Sequence, residues 1–355
     1  MRSTDLKMAI PEYVYTGSAG TSELIKAISK NKNAEIILAY TGINTEEFVD
    51  LIYDQLVSRF GNADQVSKYL ISGANTKSVK KLDQFCGEYT NSPIIIGIGG
   101  GSCIDVVKLI AKRRNLRVFV FPTVLSSDCL TSPVSVIMDG ATKTRLPSST
   151  PEGIYIDTSI TAKAPRNLIL SGMADLVSNA SALLDIELNA ENNSDIDCAK
   201  LLSEMAVNYL FLKRGTAIDG LDFQKVLAEG LILSGLSMSL AGSSITASGA
   251  EHLISHALDY YEVGSATHGE QVYIGMLCSE LIRQHFGKPM MKYGLLVFLE
   301  ENGMTADISR YNIVLSDLVK AVKKAPSLRS GRNTILNRIE EMPENTLSEL
   351  LSVLF

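Results

Sequence analysis

Three of the four histidines in this 355-residue chain, His252, His256 and His268, fall within seventeen residues. The run reads Gly249-Ala-Glu-His-Leu-Ile-Ser-His-Ala-Leu-Asp and then Ala266-Thr-His-Gly-Glu-Gln. A spacing of four places His252 and His256 on one face of a helix. The sixteen residues from His252 to His268 leave room for that helix to end, a loop to turn, and a second segment to bring His268 back. Two imidazoles from different elements, joined by a carboxylate, make a divalent-metal site. His285 lies outside the cluster and reads as a surface or helix-end residue.

A second candidate is Gly97-Ile-Gly99-Gly-Gly101-Ser102. It follows the apolar run Pro93-Ile-Ile-Ile-Gly-Ile98 and precedes a helical pattern in which Ile104, Val107, Leu109 and Ile110 are apolar. Consecutive glycines let backbone approach a phosphate, and a helix N-terminus offers free N–H groups and partial positive charge. A pyrophosphate suits such a loop, although a tight strand-to-helix turn has the same composition. Asp105 and Lys108 have the spacing of an i,i+3 pair. The polar run Pro122-Thr-Val-Leu-Ser126-Ser-Asp128-Cys-Leu-Thr-Ser132-Pro133 follows the next strand, where α/β sheets bind ligands.

The elements that must position these residues divide the chain in two. Strand-like and helix-like runs alternate through residue 160 or so. Glu35–Tyr40, Pro93–Ile98 and Arg117–Phe121 read as strands, and 46–60 as a helix. This rhythm implies a parallel sheet with helices on both faces. Val134–Met138 and Gly153–Asp157, with Asp139-Gly140 between them, read as a late hairpin. After Ala164-Pro165 strand signals vanish. Helical patterns cover 168–190, 196–213, 222–241, 247–260 and 269–285. The expected architecture is an α/β, Rossmann-like N-terminal domain over 1–160 and an all-helical C-terminal domain over 161–355. Length alone favours about two domains.

Composition narrows the function. The hydrophobic fraction is 46% and the charged fraction 20%, values that suit a soluble chain with a sizeable core. A net charge of −6 disfavours general affinity for nucleic acid or anionic membrane. Residues 230–250 carry no charge, but their Ser and Gly content and acidic neighbours Glu229 and Glu251 fit a buried helix broken near Gly242 better than a membrane span. Five scattered cysteines without a CxxC pair, and an N-terminus without an apolar signal core, lead us to expect a cytoplasmic protein.

Six segments occur in one order: Gly99-Gly-Gly-Ser-Cys-Ile-Asp-Val-Val-Lys108, Pro122-Thr-Val-Leu-Ser-Ser-Asp128, Ser132-Pro-Val-Ser-Val136, Met173-Ala-Asp-Leu-Val-Ser-Asn179, Ser248-Gly-Ala-Glu-His-Leu-Ile-Ser-His256 and His268-Gly-Glu-Gln271. Together they resemble the sn-glycerol-1-phosphate dehydrogenase family, in the superfamily of glycerol dehydrogenases, iron-type alcohol dehydrogenases and dehydroquinate synthases. The similarity runs from the glycine loop to about residue 340.

The resemblance implies NAD or NADP between the two halves and Zn2+ in the helical half. By position, Asp175, His252 and His268 would bind the metal. Gly99, Gly100, Gly101, Ser102, Cys103, Thr123, Val124, Leu125, Ser126 and Ser132 would line the cofactor. Asp128 and His256 would be catalytic and face a small polyol or ketone, with Asp175 reaching it as well. His256 sits one turn from His252, where it can bind substrate or relay its proton. Iron-type relatives carry a further histidine four residues after the metal-binding aspartate. Asn179 stands there, which favours a three-ligand zinc site.

Two departures bear on substrate and cofactor. Seven residues before the first metal histidine the family carries arginine, suited to a substrate phosphate. Here the residue is Ile245. Either Lys143, Arg145 or another base supplies the charge, or the substrate is unphosphorylated. Tyr40-Thr41-Gly42 offers no acidic residue for a ribose 2′-hydroxyl, so NAD and NADP both remain open. The leading reading is interconversion of dihydroxyacetone phosphate and sn-glycerol-1-phosphate. The alternatives are an unphosphorylated diol such as glycerol, a dehydroquinate synthase-like cyclase, disfavoured by Ser132-Pro-Val-Ser-Val136, and a nucleotide-binding relative without activity. Homo-oligomerisation is left open.

Overall fold

The structure, a computed structural model, describes residues 9–140, 142–188, 196–343 and 345–355. The N-terminal segment 1–8, read above for a signal sequence, lies outside them, as do residues 189–190 at the end of an expected helix.

In chain order the first half runs β1 (Tyr13–Gly17), α1 (Gly20–Ile28), β2 (Ile36–Thr41), α2 (Glu46–Phe60), β3 (Val66–Ile71), α3 (Thr76–Cys86), β4 (Ile94–Gly99), α4 (Gly101–Arg114), β5 (Val118–Pro122), β6 (Val134–Asp139), β7 (Thr142–Pro147) and β8 (Gly153–Asp157). Six strands form one parallel sheet in the order β1-β8-β5-β4-β2-β3. Side-chain alternation splits each inner strand between two cores. Ile36, Leu38, Ile94, Ile96 and Ile98 pack with Leu24 of α1 and Ile52 of α2. Ile37, Ala39, Ile95, Val118 and Val120 pack with Leu82 of α3 and Val107 of α4. Burial on both faces explains the near-continuous isoleucine runs.

The chain places β3 outside β2, then returns past β2 to lay down β4 and continues the other way to β5. The order of strand addition therefore reverses between β2 and β4, and ligands of open α/β sheets bind outside the strand C-termini at such a point. The glycine loop lies there.

One expectation needs correction. The Asp139-Gly140 turn exists, but β6 pairs antiparallel with β7, from Val134↔Pro147 to Asp139↔Thr142. The strand Gly153–Asp157 instead inserts between β1 and β5 of the main sheet. Thr-Lys-Thr-Arg-Leu-Pro carries little apolar signal, because this hairpin stands outside the buried sheet.

The second half is helical: α5 (Thr158–Thr161), α6 (Arg166–Glu187), α7 (Asp197–Phe211), α8 (Leu221–Ala241), α9 (Ala250–Tyr260), α10 (His268–His285), α11 (Gly294–Glu301), α12 (Leu315–Lys324) and α13 (Thr346–Leu351), with short 3-10 turns between several of them. Helix α8 ends at Gly242 in a left-handed conformation, so residues 230–250 divide between α8, a 3-10 turn and α9. Helix α6 is long and apolar enough by composition to cross a membrane, yet it is mostly buried within the protein and carries Asp175 at its middle. Helix α6 packs on α10, and α10 on α9. Close approach is enforced at Gly275 of α10, where a Cβ would stand 2.3 Å from the backbone oxygen of Glu251.

Candidate functional site

The three packed helices α6, α9 and α10 each contribute one polar side chain to a common point. Asp175 comes from the middle of α6, His252 from the first turn of α9, and His268 from the first residue of α10. Nε2 of His252 lies 3.3 Å from Asp175 Oδ1, and Nε2 of His268 lies 3.6 Å from the same oxygen. The three potential ligand atoms lie within 4.8 Å of one another. Neighbouring vertices of a tetrahedron with zinc bonds of about 2.0–2.1 Å are about 3.3 Å apart, so the donor set fits a small divalent ion. Two imidazoles and one carboxylate also leave a coordination position free, as a catalytic site requires.

Each member of the triad is held by a further contact. His252 Nδ1 lies 3.0 Å from Oε1 of the fully buried Glu251. His268 Nδ1 lies 3.4 Å from Ser255 Oγ, which donates to Gln271, which in turn donates to Asp259. Asp175 Oδ2 accepts from the backbone N–H of Asp128 at 2.9 Å. Such partners fix imidazole tautomer and orientation. Asn179 takes no part in the triad. It is fully buried and donates to Ser234.

The charges follow from this packing. Burial opposes protonation of His252, but its hydrogen bonds with Asp175 and Glu251 outweigh burial and push the ring up to about 9. Burial would raise Asp175, yet hydrogen bonds from His252 and His268 hold its carboxyl well below the usual range. Burial pushes His268 down. Asp128 is pushed up to about 7, first by burial and then by the neighbouring Asp175 charge. Its Oδ2 accepts from Ser234 Oγ at 2.9 Å. Burial and then the Arg145 charge hold His256 well below its ordinary value.

A cleft of about 370 Å³ joins this triad to the glycine loop. Its lining includes Gly101 and Ser102 of the loop, Ser126, Asp128 and Ser132 of the segment after β5, and His252, His256, His268 and Asp175 of the helices. Gly100 and Gly101 open α4, and Gly99 has φ +146°, where L side chains are strained. A Cβ at Gly99 would also stand 2.8 Å from Thr41 Oγ1 at the end of β2. Thr123 donates its N–H to the Gly99 carbonyl, which ties the second loop to the first. The side chains of Cys103 and Leu125 are buried away from solvent, and the Cys103 thiol donates to the Ala39 carbonyl. These two positions have only backbone to offer a cofactor.

Asp105 and Lys108 do not simply pair on the helix surface. Both are buried. Lys108 Nζ donates to the carbonyls of Cys129 and Ser132 at 2.6 Å each, and Asp105 Oδ2 accepts from the N–H of Val136. They bind the wall of the cleft to the glycine-loop helix. Sequence reading also missed Glu251, Arg329 and Arg332, and named Arg145 only as one source of charge among several. Arg145 Nη2 lies 2.9 Å from His256 Nε2 and lines the cleft. Ile245 is outside that lining, whereas its neighbours Ser244 and Ser248 are within it.

Comparison with known proteins places these features in a context. Residues 17–165 match the family described as iron-containing alcohol dehydrogenase. The chain is 31% identical to a glycerol-1-phosphate dehydrogenase [NAD(P)+] of Picrophilus torridus, over 98% of this chain and 97% of the relative. It is 30% identical to the protein of that name from Methanothermobacter thermautotrophicus, over 93% of each. Among solved structures, a probable glycerol dehydrogenase from Sinorhizobium meliloti superposes with a TM-score of 0.75 at 17% identity, covering 98% of this chain and 97% of the other. That likeness concerns the fold.

Proposed function

The chain belongs to the glycerol-1-phosphate dehydrogenase family, oxidoreductases acting on CH–OH groups, and from that premise we propose that it interconverts dihydroxyacetone phosphate and sn-glycerol-1-phosphate with NAD(P) and zinc. The observation that carries this reading is the shared cleft: the N-terminus of α4 and the Asp175–His252–His268 triad line one cavity.

Asp175, His252 and His268 would hold the metal, with Glu251 keeping the His252 ring oriented. When bound, a metal there supplies Lewis-acid polarisation of a carbonyl or hydroxyl oxygen, and a nicotinamide supplies or accepts hydride. The free N–H groups at the start of α4 would receive the cofactor pyrophosphate. Thr123, Val124, Ser126 and Ser132 are our candidates for the rest of the cofactor wall. Asp128, poised near neutrality, can hold or release a proton beside the substrate. His256, kept neutral, presents a hydrogen-bonding ring one helical turn from His252. We assign nucleotide binding to residues 1–160 and the metal and most of the substrate site to 161–355, with residues of the first half such as Asp128 reaching the substrate across the cleft, and place the chain in the cytoplasm, which its unpaired cysteines support.

The test is NADH and NADPH oxidation by zinc-loaded protein with dihydroxyacetone phosphate or dihydroxyacetone. Turnover of the phosphorylated ketone is expected to dominate. Turnover of dihydroxyacetone alone would assign the protein to unphosphorylated polyols.

A further inference from the structure

Three guanidinium groups converge on one hydroxyl beside the metal triad. Arg145 of β7 donates from Nη1 to Ser244 Oγ at 3.1 Å and from Nη2 to Ser248 Oγ at 3.3 Å. Arg329 donates to the same Ser244 Oγ at 3.0 Å, and Arg332 approaches it at 3.4 Å while donating to the Ser248 carbonyl at 2.8 Å. A serine oxygen has two lone pairs, so it cannot satisfy three donors fully. Among the described residues, arginine ion pairs occur at Arg114, Arg117, Arg214, Arg283, Arg310 and Arg338, and none involves these three. Lys143 stands next to them, paired with Asp259.

Like charges gathered out of water with no carboxylate in direct contact repel one another. Burial and then the Arg329 charge push Arg145 down to about 10. Burial and the charges of Arg329 and Arg145 push Arg332 down to about 9. A dianion entering the cluster would relieve both the repulsion and the unmet donors.

The geometry also supplies a place for it. A recess of about 330 Å³ is lined by Lys143, Arg145, His256, Tyr260, Leu328 and Arg329, and by Asp259, whose charge is met by Lys143. Lys143, Arg145 and His256 line the metal cleft as well, so the two spaces adjoin. The His256 ring, which touches Arg145, is 6.5 Å from that of His252. A three-carbon phosphate monoester is long enough to reach from one to the other.

We infer that Arg145, Arg329 and Lys143 form the subsite for the phosphoryl group of the substrate, doing from a hairpin and a C-terminal turn what an arginine at position 245 would do from the 3-10 turn before α9. Arg332, more deeply buried, holds Ser244 and Ser248 in place. This inference rests on the dehydrogenase reading above.

Its test is steady-state kinetics of the zinc-loaded full chain and of Arg145→Met, Arg329→Met and Arg145→Lys, with both ketones and with inorganic phosphate as competitor. Loss of one charged hydrogen-bonding partner is expected to lower kcat/KM for dihydroxyacetone phosphate roughly 10- to 100-fold. The preference over dihydroxyacetone should collapse, phosphate inhibition should weaken in parallel, and lysine should restore part of both. A wild-type protein that prefers the phosphorylated ketone, with KM and phosphate inhibition unchanged in both methionine variants, would overturn the subsite and leave the proposed function standing. A wild-type protein that turns over only dihydroxyacetone would overturn both. A measurement on unaltered protein guards against variants that fail to fold: phenylglyoxal should modify Arg145 and Arg329, and inorganic phosphate should protect them. Modification indifferent to saturating phosphate would also overturn the inference.

Discussion

Glu251 and His252 are neighbours in sequence, and their side chains meet: Oε1 of the first lies 3.0 Å from Nδ1 of the second, leaving Nε2 to face Asp175. Once the ring gives up its second proton, this fully buried carboxylate would hold the first on Nδ1 and leave a lone pair on Nε2 for a metal. Replacing Glu251 by Gln keeps the volume and removes the charge. We expect metal affinity to fall roughly 10- to 100-fold. Competition with a chromophoric chelator measures it, and unchanged affinity would show that Glu251 serves only the fold.

Metal uptake is expected to depend on pH through His252. Without metal, its proton is retained up to about pH 9. Asp175 is already ionised, and His268 is pushed toward its neutral form. Binding must therefore displace one proton from His252 at neutral pH. Affinity should rise by about tenfold per pH unit toward pH 9 and level off above it. Titrations at several pH values, with proton release followed in buffers of different ionisation enthalpy, check both the slope and the count. A flat profile would mean that His252 is not protonated in the free protein.

Gly275 is the point where α10 presses on α9. An added methyl group would meet the Glu251 backbone at 2.3 Å, and neither partner is a flexible side-chain tip. Gly275→Ala should destabilise the fold by about 1–3 kcal/mol. It should also weaken metal binding, because the two helices carry His252 and His268. Denaturant unfolding and metal titration of one sample measure the two effects together.

Lys108 is buried with its ammonium on two carbonyls of the cleft wall, close enough to Asp105 to lower that carboxyl's pKa although burial keeps it raised to about 6. Lys108→Met removes the donor and leaves Asp105 buried without a cation. A loss of about 3–5 kcal/mol is expected, the range for breaking a buried charge pair. Urea unfolding measures it. The KM for the nicotinamide cofactor should rise as well, since the wall leans on the glycine-loop helix.

What the sequence displayed and what it hid differ for physical reasons. His252 and His256 were legible because four-residue spacing is a helix property, and the strands at 94–99 and 118–122 because burial on both faces demands unbroken apolar runs. The strand at 142–147 was not legible, since a hairpin outside the core imposes no apolar pattern, and the inner strand at 153–157 was given to the wrong partner. The convergence of Arg145 with Arg329 was hidden for another reason. Their meeting at Ser244 joins residues 99 and 85 positions away from it, and no local pattern encodes it. The glycine loop and the candidate metal-binding residues Asp175, His252 and His268 are separate signals in the sequence. Only the fold brings the start of α4 and the helices α6, α9 and α10 to the walls of one cleft.

The central claim is that Asp175, His252 and His268 hold a metal on which the nicotinamide chemistry depends. Elemental analysis of wild-type protein and His268→Ala, each paired with NAD(P)H oxidation in the presence of dihydroxyacetone phosphate, tests it most directly. Wild-type protein is expected to carry one zinc per chain and to turn over, and the variant to lose zinc and turnover together. Full zinc occupancy in His268→Ala would contradict the account.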